Sequence, residues 1–298
     1  MSPTGPTTAA VAPSEPLPAV PSRRWRRSYF GPLAKFLWVS WAYVFLLAPM
    51  VVVIASSLDG TKAYTGVVFP PHDLTLQWYK QIPATHFRAL GLSLGLALSV
   101  AFGACLLGIP AALGVVRGTL PGKSFFLAFF RAPMQIPAVV TGVAFLRLYY
   151  VVGDATGVFL NATFIGLYLG HLFVATPYVI GTVVVVLQRF NLRLEEAALS
   201  MGASPWRTFR RVTLPTIMPG VHAGALYAFM VSFSDVPIAM FLTAPGFVTY
   251  PVELFFGIET DFSPSVLASA SLVILFSLVA LLLVQRVIGL DTVVHSRR

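Results

Sequence analysis

Arg147, His171, His222 and Asp235 are ionisable residues inside stretches that are otherwise almost wholly apolar. An ionisable side chain in the middle of a bilayer costs several kcal/mol, on the order of 2.5–3.5 for Arg, Lys or Asp at a helix centre. Such residues therefore face a water-lined cavity or pair with a partner. Asp235 is followed by Val236-Pro237, and proline interrupts helical hydrogen bonding and opens backbone to a pathway. This makes Asp235 a candidate for lining a translocation path. The competing reading is a helix–helix or subunit contact, or snorkelling near a span end. Arg147 lies near the end of its span, where snorkelling to the headgroups accounts for it, and it stays on the pathway list with His171 and His222. By charge, Asp235 suits a cationic solute such as a polyamine, but one carboxylate does not identify a cargo.

Other chemistries find no support in the spacing. The five histidines, His72, His86, His171, His222 and His295, form no HExxH or other metal pattern. Cys105 is the single cysteine, which excludes a disulfide framework and a multi-cysteine metal site. Gly91, Ser93 and Gly95 spell a nucleophile elbow, yet they lie in an apolar helix, where small residues serve packing. Gly118, Gly122, Lys123 and Ser124 suggest a phosphate loop, but three residues separate the glycines where four are needed. The segment also joins two apolar helices instead of following a strand. No catalytic residue, metal site or bound cofactor is expected, and the chain has no ATPase machinery of its own.

The elements that must hold these residues are membrane helices. The chain has 298 residues, 57% hydrophobic and 10% charged, with a mean hydropathy of +0.81, against about 25% charged residues in a soluble domain. A span needs roughly 20 apolar residues, and six stretches qualify: 33–56, 89–116, 132–151, 160–188, 212–242 and 264–285. The class is an all-α, polytopic membrane protein with six transmembrane helices. Residues 1–32 form a tail whose first 22 positions are rich in Pro, Ala, Ser and Thr and are expected to be disordered. The basic cluster Arg23, Arg24, Arg26 and Arg27 faintly resembles a twin-arginine signal and is better read as an anchor for the first span. The membrane domain is assigned to 33–288 and a C-terminal tail to 289–298.

Orientation follows from the lysines and arginines. With the N-terminus inside, sixteen of the twenty fall on inner segments, and Lys62, Lys80 and Arg88 alone on outer ones. This asymmetry predicts a multi-pass protein of the inner, cytoplasmic cell membrane with both termini in the cytoplasm. It also explains the net charge of +9 without a nucleic-acid partner. The last outer loop, 243–263, carries Glu253, Glu259 and Asp261 and no lysine or arginine.

One polar stretch, within the loop 189–215, breaks the apolar pattern on the cytoplasmic side. Asn191 can cap a helix from Leu192, and Leu194, Ala197, Ala198 and Met201 share a helical face. Gly202 suits the left-handed position that ends a helix. Ser204-Pro205 then reads as an N-cap with proline at the first helical position. Arg207, Arg210 and Arg211 follow, and Val212, Leu214 and Pro215 lead into the fifth span. An interfacial helix on anionic lipid would account for the arginines. It leaves Glu195 and Glu196 and the small alanines beside them unexplained, and these suit the close approach of another protein.

Glu196-Ala197-Ala198, three residues, Gly202, nine residues and Val212-x-Leu214-Pro215 resemble the EAA loop of ABC-importer permeases, with valine where the family pattern has isoleucine. The likeness runs from about Leu33 to Arg286. Ile136-Pro137 with Gly142, and Ser232-Phe233-Ser234-Asp235 followed by Leu242-Thr243-Ala244-Pro245-Gly246, resemble the spermidine/putrescine type. Ala244 stands where that type often has glycine. The resemblance implies the type I ABC-importer permease fold and a loop that docks in a groove of a cytoplasmic ATPase. Glu195 falls within this loop, Glu196 would contact the ATPase, Ala197 and Ala198 would permit close packing, and Gly202 would make the turn. It further implies two ATPase copies carrying ATP and Mg, a second permease subunit, an extracytoplasmic binding protein and transport by alternating access. Spermidine or putrescine is the expected cargo, with ferric iron, thiamine or phosphonate as alternatives. A stand-alone secondary transporter or channel, or a membrane-embedded enzyme, would be the competing classes.

Overall fold

The computed structural model describes residues 31–61, 67–119, 121–260 and 264–295, with side chains described as far as Val279. The N-terminal tail and its arginine cluster lie outside the described residues, as do Lys62 and Asp261. Every regular element among the described residues is helical. In chain order they are α1 (Pro32–Ser56), α2 (Gln77–Lys80), α3 (Ala84–Arg117), α4 (Lys123–Arg131), a 3-10 turn (Ala132–Gln135), α5 (Ala138–Thr156) and α6 (Phe164–Gln188). They continue with α7 (Arg193–Ser200), α8 (Pro205–Thr208), a π-helical segment (Phe209–Thr213), α9 (Leu214–Phe233), α10 (Pro237–Leu242), α11 (Tyr250–Thr260) and α12 (Pro264–His295).

Five described helical stretches are long and apolar enough to cross a membrane: 34–56, 84–117, 138–156, 164–188 and 205–233. The sixth expected span falls within α12, a helix of 32 residues. Several boundaries differ from expectation, most of all in the third and fifth spans. The third span begins at Ala138 because Ile136-Pro137 adopts extended backbone after the 3-10 turn. The fifth stops at Phe233, and residues 234–236 break the helix before α10. At its other end it runs back through the π segment to Pro205. The connections α4 and α11 are helical where loops were expected. Prolines 49, 110, 177 and 219 lie inside helices, as membrane helices tolerate.

The chain divides into two compact units at Ala48 and Pro49. In the first, Trp41 meets Trp38 edge-on and stacks on Phe45 along α1. In the second, α3, α6 and α9 pack on one another around Val100, Ala104, Val179, Val183, Ile217 and Ala228. Lipid supplies no hydrophobic drive between helices, so close packing must hold them. Gly224 lets α9 approach α6 so closely that a Cβ there would lie 2.8 Å from the Val179 Cα and 2.5 Å from the Thr182 hydroxyl. Gly142 does the same for α10, whose Pro237 carbonyl would stand 3.1 Å from an added Cβ. The core therefore fixes where the helix break can sit.

Candidate functional site

The segment between α6 and α9 is a preorganised knuckle. The Asn191 side chain accepts a hydrogen bond from the Arg193 backbone N–H at 3.1 Å, and α7 runs from Arg193, one residue later than the sequence predicts. At its other end the Ala203 N–H bonds the Ala198 carbonyl and the Gly202 N–H bonds the Leu199 carbonyl. With Gly202 at φ +82°, this is a Schellman ending. Ser204 caps α8 through the Arg207 N–H at 3.4 Å, with Pro205 at the first helical position. The chain then passes through the π segment without a break into α9, and Leu214 and Pro215 form the first turn of that helix.

The two glutamates face different surroundings. Glu196 and Ala197 are exposed, while Ala198 is buried. Around them Leu194, Met201 and Trp206 are exposed, Met201 at 82%, as are Arg207, Arg210 and Arg211. Of the apolar face expected on α7, Ala198 alone is covered. Glu195 turns the other way. Its Oε1 lies 2.7 Å from an Arg117 guanidinium nitrogen at the end of α3 and also accepts a bond from the Thr213 hydroxyl. The Arg117 guanidinium in turn lies 5.4 Å from the centre of the Phe190 ring. No local pattern points to Arg117 or Thr213, which lie 78 and 18 residues from Glu195 along the chain.

A second polar cluster occupies the helix break. The Asp235 Oδ1 accepts the backbone N–H groups of Ile238 and Ala239 at 3.0 and 2.9 Å, capping α10. The His171 Nε2 lies 3.8 Å from that same oxygen, too far for a hydrogen bond. His171 Nδ1 bonds Ser232 Oγ at 2.9 Å. His171 is fully buried and its Nε2 has no hydrogen-bond partner. The structure thus brings together Asp235 and His171 and adds Ser232. It does not add His222 or Arg147, both of which are exposed.

Two cavities lie apart from these groups. One of about 670 Å³, among α3, α4, α5 and α6, is lined by apolar residues including Phe129, Phe130, Phe145 and Phe173. A smaller one of about 340 Å³ is lined by Arg88 and Glu253 among others. Lys123, from the false phosphate loop, donates to the Val116 carbonyl at 3.1 Å, and Gly122 precedes α4 at φ +74°. Among the described residues no group of three or more His, Cys, Asp or Glu is placed to hold a metal ion.

The model of the binding-protein-dependent transport system inner membrane component family matches residues 104–288, which include the knuckle and the break. The putrescine transport system permease protein PotI of Escherichia coli strain K12 is 32% identical over 235 residues, 78% of this chain and 82% of PotI. The spermidine/putrescine transport system permease protein PotC of the same strain is 29% identical over 245 residues, 82% of this chain and 89% of PotC. Among solved structures, a bacterial ABC transporter involved in the import of the acidic polysaccharide alginate matches with a TM-score of 0.66 and 16% identity. That match covers 86% of this chain and 94% of the other. An amino acid ABC transporter with histidines matches at 0.50 and 17%, covering 72% and 98%. At these identities the two structures speak for the fold alone.

Proposed function

The chain belongs to the binding-protein-dependent transport system inner membrane component family and is the permease subunit of an ABC importer, and from that premise we propose that it carries a short polyamine, putrescine or spermidine, into the cytoplasm. The knuckle of α7 and α8 faces the cytoplasm, as the lysine and arginine asymmetry requires. There it is gripped by one of two ATPase subunits. ATP is bound with Mg and hydrolysed on those partners. A second permease subunit completes the pore, and a binding protein delivers the solute from the opposite side.

One observation carries the coupling part of this reading. Glu196 is open to solvent on a rigidly capped helix, beside Ala197 and exposed Leu194 and Met201. An acidic group framed by small and apolar side chains outside the spans is suited to a protein groove with a basic residue. It is poorly suited to an anionic lipid surface. The cargo part rests on Asp235, the one acidic residue within the six predicted spans, and on the polyamines named for PotI and PotC. Asp235 sits where the helix is broken, so a cationic amine passing the break would meet a carboxylate and freed backbone carbonyls.

The test is reconstitution of the permease pair, ATPase and binding protein in liposomes loaded with ATP. Labelled putrescine or spermidine should enter only with ATP inside and binding protein outside. Uptake by this chain alone without ATP would overturn the coupling reading. A binding protein that ignores polyamines and holds thiamine, ferric iron or a phosphonate would overturn the cargo.

A further inference from the structure

We infer that Glu195 is not an ATPase contact but the positioning residue that fastens the coupling helix to the membrane bundle, resting on the reading of the knuckle as the coupling loop. Its one oxygen Oε1 receives both the Arg117 guanidinium and the Thr213 hydroxyl. Those two donors belong to different spans. Arg117 is the last residue of α3, and Thr213 is the last residue of the π segment before α9. Thr213 is 1% exposed, so its hydroxyl is buried against the bundle. Phe190, just beyond α6, lies under the Arg117 guanidinium. A single carboxylate thus ties the ends of α3 and α9 together at the knuckle, with Phe190 lying against the same arginine.

The physical need for such a tie is plain. An eight-residue helix is too short to persist unaided. Its two backbone connections are a short link at 189–192 and the Gly202 turn. A push on α7 delivered through turns alone would bend the turns. Delivered through Glu195, it reaches α3 by an ion pair and α9 by a hydrogen bond. The attachment on α9 is a π-helical segment, where the helical ladder is locally rewound and such segments cluster at functional positions. Moving the carboxylate therefore acts on the one described stretch of that long helix with non-α hydrogen bonding. Glu196, one residue on and exposed, remains free for the partner. The adjacent glutamates divide the labour between receiving force and passing it on.

The experiment uses the whole reconstituted importer and reads ATP hydrolysed per polyamine imported, alongside the amount of ATPase that co-purifies. In Glu195→Ala the ATPase should remain bound, while ATP consumed per solute rises about tenfold, a typical coupling energy between sites. Glu195→Gln, which keeps an acceptor for Thr213 and loses the ion pair, should fall between Glu195→Ala and the parent. Arg117→Ala should resemble Glu195→Gln, and the double variant Arg117→Ala/Glu195→Ala should be no worse than Glu195→Ala alone, because the two act through one contact. An unchanged ratio in Glu195→Ala would overturn the proposal, as would additive losses in the double variant or loss of ATPase binding. Glu196→Lys is the control for the underlying reading. If it leaves both ATPase binding and the ratio unchanged, the knuckle is not the coupling loop, whatever Glu195 does.

Discussion

The knuckle and the helix break each use a carboxylate to hold a short helix, yet they are built on opposite terms. At the knuckle, Glu195 is partly solvated and its Oε1 meets two side-chain donors, one of them a full positive charge. At the break, Asp235 is nearly buried, its Oδ1 meets two backbone N–H groups, and the nearest side-chain nitrogen stands off at 3.8 Å. A charge-assisted contact at a wet surface tolerates movement, because water replaces a lost partner. A buried carboxylate has no such replacement, and a lost contact there costs the desolvation penalty of the group. The knuckle is thus suited to being pushed. The break is suited to holding one geometry until a charged ligand or a helix rearrangement changes its partners.

The largest expected effect breaks the knuckle side of this comparison. Glu196→Lys reverses the exposed charge and should abolish ATP-dependent uptake while the isolated permease keeps its fold. Uptake at the parent rate would remove Glu196 from the coupling surface. The second prediction addresses the break. Asn at position 235 can still accept the two α10 N–H bonds, since Asn and Asp are near-equal caps. Asp235→Asn should therefore retain the parent's thermal midpoint but lose polyamine uptake by about tenfold or more, the worth of a charge-assisted hydrogen bond. Parent-like uptake would reduce Asp235 to a structural cap.

Packing provides the third. Gly224→Val places atoms where the Val179 backbone already lies and should destabilise the α6–α9 contact by about 1–3 kcal/mol. Thermal denaturation in detergent checks the loss. Hydrogen exchange should show faster opening near Ser232 and His171 while α7 is spared, and the reverse pattern would mean that the two regions are not separately supported. The smallest effect is expected from Gly202→Ala. A non-glycine residue held at φ +82° costs roughly 1–2 kcal/mol. The amides at the end of α7 should exchange faster, and uptake should fall only modestly. Unchanged exchange would show that the Schellman ending is not needed.

How much was legible before folding depends on the range of each interaction. Gly202, Ser204 and Pro205 act on backbone within a few residues, and their roles in the structure match the sequence expectation. Asn191 was read correctly as a capping group but one residue out of place, which is the usual uncertainty of a helix end. The expected span of 212–242 was too long because hydropathy does not register Ser234-Asp235-Val236 as a stop. Pro237 signalled an interruption, but its exact place follows from Asp235 capping α10 against α5 and α6. The helices α4 and α11 went unseen in segments classed as connections. The sequence marks Glu196 as the acidic residue of the EAA pattern, but it does not show that its neighbour Glu195 turns inward to Arg117 and Thr213.

Composition, apolar run length and charge asymmetry alone set the class of this molecule: a multi-span helical membrane protein with a polar knuckle. Those properties are sums over many residues or rules of local backbone geometry, so they survive without a third dimension. Tertiary structure alone decided which polar groups meet. It paired Arg117 with Glu195 across 78 positions and brought His171 to Ser232 across 61, while leaving His222 and Arg147 exposed. Helical phase and close glycine contacts choose those partners, and neither can be read from a residue's type.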